Sequence, residues 1–90
     1  MYTISRTSGF KKAVKRCIKR GLDINLLEEV IMLLATTGSL PQKYRPHRLS
    51  GKFQYAWECH IEPDWLLVWK QDDTNLTLLF INTGTHSDIF

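Results

Sequence analysis

The chain has 90 residues, which fits one domain spanning 1–90 and leaves no room for a second. Hydrophobic residues make up 43%, too many for a disordered chain, and no apolar run approaches the ~18 residues that a membrane-spanning helix needs. The formal net charge is only +3, so where the cations sit matters more than their excess.

The opening Met1-Tyr2-Thr3-Ile4-Ser5 lacks the charged-then-apolar order of a signal peptide, and the expectation is a cytoplasmic protein. Cys17 and Cys59 are too few for a disulfide framework and lack C-x-x-C spacing. Both are expected as buried thiols. Tyr2 and Ile4 alternate with polar neighbours, which predicts a short first strand. Thr7 or Ser8 can cap a helix in which Phe10, Ala13, Val14, Cys17 and Ile18 recur at helical spacing. Lys11, Lys12, Lys15, Arg16, Lys19 and Arg20 occupy its other faces, and Gly21 suits its end. Asp23 or Asn25 caps a second helix with the stripe Leu27, Val30, Ile31 and Leu34, stopped by Gly38 and Pro41. The short link between the two implies an antiparallel helical hairpin.

From Pro41 to Lys52 no period is visible, and the two prolines and a glycine predict a loop. Lys43, Arg45, Arg48 and Lys52 surround His47 there. Clustered cations attract a polyanion by releasing its counterions, and a second basic cluster beyond the helix favours RNA over a merely solvated face.

The period then becomes two. Phe53, Tyr55, Trp57, Cys59 and Ile61 fall on one strand face; Gln54, Ala56, Glu58 and His60 fall on the other. The aromatic and sulfur face suits the core, so His60 points away from it. Glu62-Pro63-Asp64 reads as a tight turn, Trp65 to Lys70 as a second strand, and Leu76 to Thr83 as a third. A tail from Gly84 to Phe90 follows. The predicted fold is α+β: an N-terminal strand, a helical hairpin, then a three-stranded antiparallel meander. The helices pack on one sheet face, leaving the other face, with His60, open.

His47, His60 and His86 are the only histidines, and Asp64 follows His60 across a tight turn. Imidazoles near an acid suit RNA cleavage. The 2′-hydroxyl must lose a proton to attack the adjacent phosphate, and the departing 5′-oxygen must gain one. Nearby cations stabilise the charge on the phosphorane, and no metal is required. Three scattered histidines are also an ordinary surface complement. A metal site from His60, Asp64 and His86 is the weaker alternative, since neither H-E-x-x-H nor a compact ligand cluster occurs. Trp65 and Phe90 could stack on bases or belong to the core; Trp57 and Trp69 read as core.

Two blocks carry a family resemblance. His60-Ile61-Glu62-Pro63-Asp64-Trp65 followed by Thr83-Gly84-Thr85-His86, with Phe90 at the end, resembles the C-terminal signature of the YafQ branch of RelE-superfamily toxins. Tyr44-Arg45-Pro46-His47-Arg48-Leu49-Ser50-Gly51 is similar to that family's Y-x-x-H-x-L-x-G loop. The resemblance covers essentially the whole chain. It implies a RelE-like fold and a type II toxin, a ribonuclease that needs no cofactor and cuts messenger RNA in the ribosomal A site. It also implies a cognate antitoxin of the RelB or DinJ kind, and binding to operator DNA through the antitoxin complex. His47, His60, Asp64 and His86 match the family's catalytic positions. His86 would give the proton to the leaving oxygen, and His47 or His60, oriented by Asp64, would take the 2′ proton. Trp65 and Phe90 match substrate-positioning residues.

The family carries an arginine immediately before T-G-T-H, and Asn82 stands there in this chain. An amide supplies a hydrogen bond but no charge. Arg45, Arg48 or Lys52 would then supply the cation. The competing reading is a cleavage-deficient homologue that keeps antitoxin binding and operator co-repression. The basic helix, remote in sequence from the histidines, is expected to face ribosomal RNA.

Overall fold

The computed structural model describes residues 1–51 and 55–90. The chain runs β1 (Thr3–Arg6), α1 (Ser8–Lys19), α2 (Ile24–Thr37), a 3₁₀ turn (Gln42–Tyr44), β2 (His47–Arg48), β3 (Ala56–Glu62), β4 (Trp65–Asp72), β5 (Thr77–Gly84) and α3 (His86–Ile89). Thr7 caps α1 by accepting the Phe10 N–H, and Asp23 caps α2 by accepting the Asn25 N–H. Gly21 and Gly38 take the left-handed conformation just past the two helices.

Among the described residues the strands form one five-stranded sheet in the order β1-β5-β4-β3-β2. The meander β3-β4-β5 is antiparallel as expected, and β1 adds parallel to β5. The sheet is therefore mixed. Two elements depart from the sequence reading. His47 and Arg48 pair with Glu58 and Trp57, so the basic loop contributes a sheet edge. The tail folds into α3, closed by a reciprocal capping box between Thr85 and Asp88.

Alternation along the strands sorts the side chains into two clusters. Cys59, Trp65, Leu67, Trp69, Leu78 and Phe80 join Phe10, Cys17, Leu27, Val30 and Leu34 beneath the helices. Each fully buried Leu or Val of α2 contributes about 1.5–3 kcal/mol. The opposite sheet face is not open. Ala56, Leu66, Val68 and Ile89 form a second cluster there, flanked by Leu49 and Ile81, because α3 folds back and sets Ile89 on the sheet. Ile18, expected in the core stripe, is 53% exposed, and Tyr55 is 70% exposed in a left-handed conformation before β3 begins. Phe53, Gln54 and Lys52 lie outside the described residues.

Two register breaks bracket the site described next. Ile61 is the extra residue of β3 between His60 and Glu62, and Ile81 is the extra residue of β5 opposite the Val68–Trp69 step. Such bulges bend a strand and re-aim its side chains.

Candidate active site

The register puts His47, Glu58, Val68 and Asn82 in one row across the sheet, and His60, Leu66 and Gly84 in the next. Side chains paired in register share a face, so His47, Glu58 and His60 lie together on the face away from α1 and α2. The ring centroids of His47 and His60 are 6.4 Å apart, and those of His60 and His86 are 5.8 Å apart. The structure thus brings the three histidines into one cluster with His60 in the middle.

Each ring has a distinct set of partners. His60 Nδ1 lies 3.2 Å from the Pro63 carbonyl. A carbonyl only accepts, so Nδ1 carries the proton there, and Nε2 of the neutral ring is left as an acceptor. His86 Nδ1 lies 2.6 Å from Asp64 Oδ1, and the His86 backbone N–H donates to the same oxygen across 3.0 Å. These bonds, the backbone one first, hold the Asp64 carboxyl below its ordinary range. Asp64 therefore orients His86, not His47 or His60 as the sequence reading had it. The tight turn places Asp64 just before the start of β4, where the end of β5 delivers His86.

His47 has an acceptor at both nitrogens. Nδ1 donates to the Arg45 carbonyl across 2.9 Å, and Nε2 lies 3.3 Å from Glu58 Oε1. Arg45 adopts a left-handed conformation (φ 50°, ψ 52°), which a non-glycine residue holds at a strain of about 1–3 kcal/mol. Glu58 is 4% exposed, and its Oε2 is buried with no hydrogen-bond partner among the described residues. Sequence reading placed Glu58 on the His60 face but gave it no role. Its i, i+2 spacing from His60 was the available signal.

Of the predicted substrate cations, Arg45 lines a cleft with Lys43, His60, Ile61, Glu62 and Pro63. Arg48 does not reach the site. It pairs with Trp57 on the helix side of the sheet, and its guanidinium lies 5.2 Å from that ring's centroid. Trp65 is corrected as well: it is 2% exposed, so it cannot stack on a base. Its indole N–H donates to Thr83 Oγ1 across 2.9 Å, and Thr83 in turn donates to the Leu66 carbonyl across 2.7 Å. Asn82 accepts its neighbour Thr83's N–H and sits two strands from Glu58, about 10 Å away with Val68 between. Phe90 ends α3, 59% exposed, its N–H bonded to the His86 carbonyl.

The basic helix divides. Lys11, Lys12, Lys15 and Lys19 are exposed. Arg20 instead forms a two-pronged pair with Asp88, and Arg16 donates to the Thr83 carbonyl. Asp88 was not foreseen, although Thr85 and Asp88 have capping-box spacing. The Arg20 guanidinium first, and the Thr85 N–H next, hold its carboxyl well below the usual carboxylate range. Burial pushes the Cys17 thiol up and the Cys59 thiol up to about 12, as suits two inert core residues. Among the described residues no group of three or more His, Cys, Asp or Glu side chains is placed to hold a metal ion. No helix among them is long and apolar enough to cross a membrane.

Comparison with known proteins gives a consistent result. The chain is 38% identical over 88 residues to the mRNA interferase toxin YafQ of Escherichia coli K12, covering 97% of this chain and 94% of that one. The crystal structure of the E. coli DinJ–YafQ complex matches with a TM-score of 0.90 at 35% identity, over 100% of this chain and 99% of the other. A metal-bound toxin from Helicobacter pylori matches with a TM-score of 0.90 at 39% identity, over 100% of both chains. A family model described as the bacterial toxin of type II toxin-antitoxin system, YafQ, spans residues 2–90. With His47, His60, Asp64 and His86 gathered where the signature blocks meet, the chain belongs to the YafQ family of bacterial type II toxin-antitoxin toxins.

Proposed function

We propose that this chain is an endoribonuclease that cuts messenger RNA on the ribosome by a 2′-hydroxyl attack, with His60 as base and His86 as acid. The observation that carries the reading is the pairing of the His60 and His86 rings at 5.8 Å, each with its Nδ1 held by an oxygen, a neutral carbonyl for His60 and a carboxylate for His86. His60 presents a bare Nε2, because its Nδ1 proton is committed to Pro63. His86 gives its Nδ1 to the Asp64 carboxylate, which orients the ring and leaves Nε2 as the nitrogen that can meet the leaving oxygen. At this separation each ring can come within about 2.6–3.2 Å of a different oxygen of one phosphate.

The steps balance without further reagents. His60 Nε2 removes the 2′-hydroxyl proton as that oxygen bonds to phosphorus. The bond to the 5′-oxygen breaks, and that oxygen takes a proton from His86 Nε2. The products carry a 2′,3′-cyclic phosphate and a 5′-hydroxyl. Arg45 and Lys43, beside His60, stabilise the negative charge that builds on the phosphoryl oxygens. His47, engaged at both nitrogens, contributes an oriented ring and its Glu58 partner rather than a free proton carrier. Phe90, one helical turn from His86, offers an exposed ring for a flanking base. Asn82 lies outside this set.

In the cytoplasm, the exposed Lys11, Lys12, Lys15 and Lys19 face ribosomal RNA. A DinJ-like antitoxin inhibits the toxin and carries it to operator DNA; the E. coli DinJ–YafQ complex supports that partner. The test is cleavage of messenger RNA on translating ribosomes, with the fragment ends characterised. Wild type is expected to leave cyclic phosphate ends, and His60→Ala and His86→Ala each to lose at least about 10²-fold in rate. Full activity in either variant, or 3′-hydroxyl products, would reject the mechanism.

A further inference from the structure

His86 sits on a helix of four residues, too short to hold its shape alone. One side of this helix is tied to Asp64, through the His86 ring and backbone. The other side is tied to α1. Arg20 places Nη1 and Nη2 on the two oxygens of Asp88, at 2.5 and 3.1 Å. A two-pronged guanidinium–carboxylate pair fixes orientation as well as distance. Asp88 also accepts the Thr85 N–H across 2.8 Å, and its side chain is 12% exposed. Arg16 ties the preceding strand to the same helix by donating to the Thr83 carbonyl across 3.2 Å, with its Nε 3.8 Å from Asp88.

Gly84 makes the approach possible. Its φ is +150°, and a Cβ there would lie 2.6 Å from Asp88 Oδ2, 2.9 Å from Asp88 Cβ and 3.1 Å from Arg16 Nη2. Glycine is thus required where the strand turns into α3, directly beneath the Asp88 carboxylate.

We propose that Arg20 and Asp88, assisted by Arg16, form a latch from α1 to α3 that positions His86 for catalysis. The two arginines act through His86 and not by touching RNA. This inference rests on His86 being the acid of the proposed reaction. It divides the cations of α1 into two jobs that their sequence does not distinguish. The lysines are exposed, whereas Arg16 and Arg20 are engaged by the Thr83 carbonyl and the Asp88 carboxylate.

The experiment compares wild type, Arg20→Ala, Arg20→Lys and Asp88→Asn in two readouts. The first is kcat and KM for messenger RNA cleavage on translating ribosomes. The second is amide hydrogen exchange, at Ile89 and Phe90 of the α3 turn and at β4 as a control on folding. Arg20→Ala and Asp88→Asn are expected to lower kcat by about 10–100-fold, the scale of an ångström-sized misplacement, with KM nearly unchanged. Both should lose exchange protection in α3 while β4 keeps it, and Arg20→Lys, which keeps the charge but not the two-pronged geometry, should restore only part of both losses. A raised KM with unchanged kcat would make Arg20 an RNA contact and overturn the latch. So would unaltered α3 protection in Arg20→Ala. If His86→Gln proves fully active, the assignment of the acid fails, while the exchange data still decide whether the latch holds α3.

Discussion

Asp64 Oδ1 accepts two hydrogen bonds from one residue, the ring Nδ1 of His86 at 2.6 Å and its backbone N–H at 3.0 Å. This grip fixes both the tautomer and the position of the imidazole. Asp64→Ala should therefore lower kcat by about 10²-fold or more while leaving the fold intact, because Asp64 is an exposed turn residue. Single-turnover cleavage beside a thermal melt checks this; near-wild-type kcat would mean the pair is ornamental.

The cation that faces the phosphate is the next test. Arg45 borders His60, whereas Arg48 stacks on Trp57 across the sheet. Arg45→Ala is expected to reduce the cleavage rate about 10²-fold, and Arg48→Ala and Asn82→Arg to change it by less than about tenfold. A large gain in Asn82→Arg, with Arg45→Ala nearly silent, would return the role to the family's arginine position and make Asn82 a handicap.

Trp65 and Thr83 are assigned to structure. Thr83→Val removes the acceptor of a buried indole N–H and the donor to the Leu66 carbonyl, which should destabilise the fold by about 1–3 kcal/mol. Trp65→Phe loses that hydrogen bond and also leaves a cavity where the larger indole stood, so it should cost about 2–4 kcal/mol and keep most activity per folded molecule. Urea unfolding and kcat on the same samples separate the two effects. A stable but inactive Trp65→Phe would place the indole in catalysis after all.

The Arg20–Asp88 pair gives a pH signature. The folded Asp88 carboxyl lies below its unfolded value of about 3.9, so its stabilisation is present above that value. It is lost as pH falls through the lowered folded value. The stability gap between wild type and Asp88→Asn should thus be full at about pH 6 and narrow only below about pH 4. Urea midpoints measured across that range would contradict the assignment if the gap stayed constant into strong acid.

Much of this site was legible beforehand because period-two alternation is rigid. Once Trp57, Cys59 and Ile61 face the helices, Glu58 and His60 must share the other side. The helix ends were equally local, being set by Thr7, Asp23, Gly21 and Gly38. What escaped was long-range. Nothing near His47 in sequence shows that Glu58 lies opposite it, because a two-residue edge strand has no period. The tail resembled a polar end until Asp88 met Arg20, 68 residues away. Trp65 was ambiguous because burial of an indole depends on Thr83, its partner on a neighbouring strand.

The central claim, a ribonuclease that uses His60 and His86, is tested most directly by induced expression in bacteria with primer extension on cellular messenger RNA. Wild type and a His60→Ala/His86→Ala variant would be compared at equal levels of folded protein. The account predicts growth arrest with new in-frame cleavage ends in wild type, and neither in the variant. Harmless wild-type expression with no new ends would contradict it and favour an antitoxin-binding module that no longer cuts.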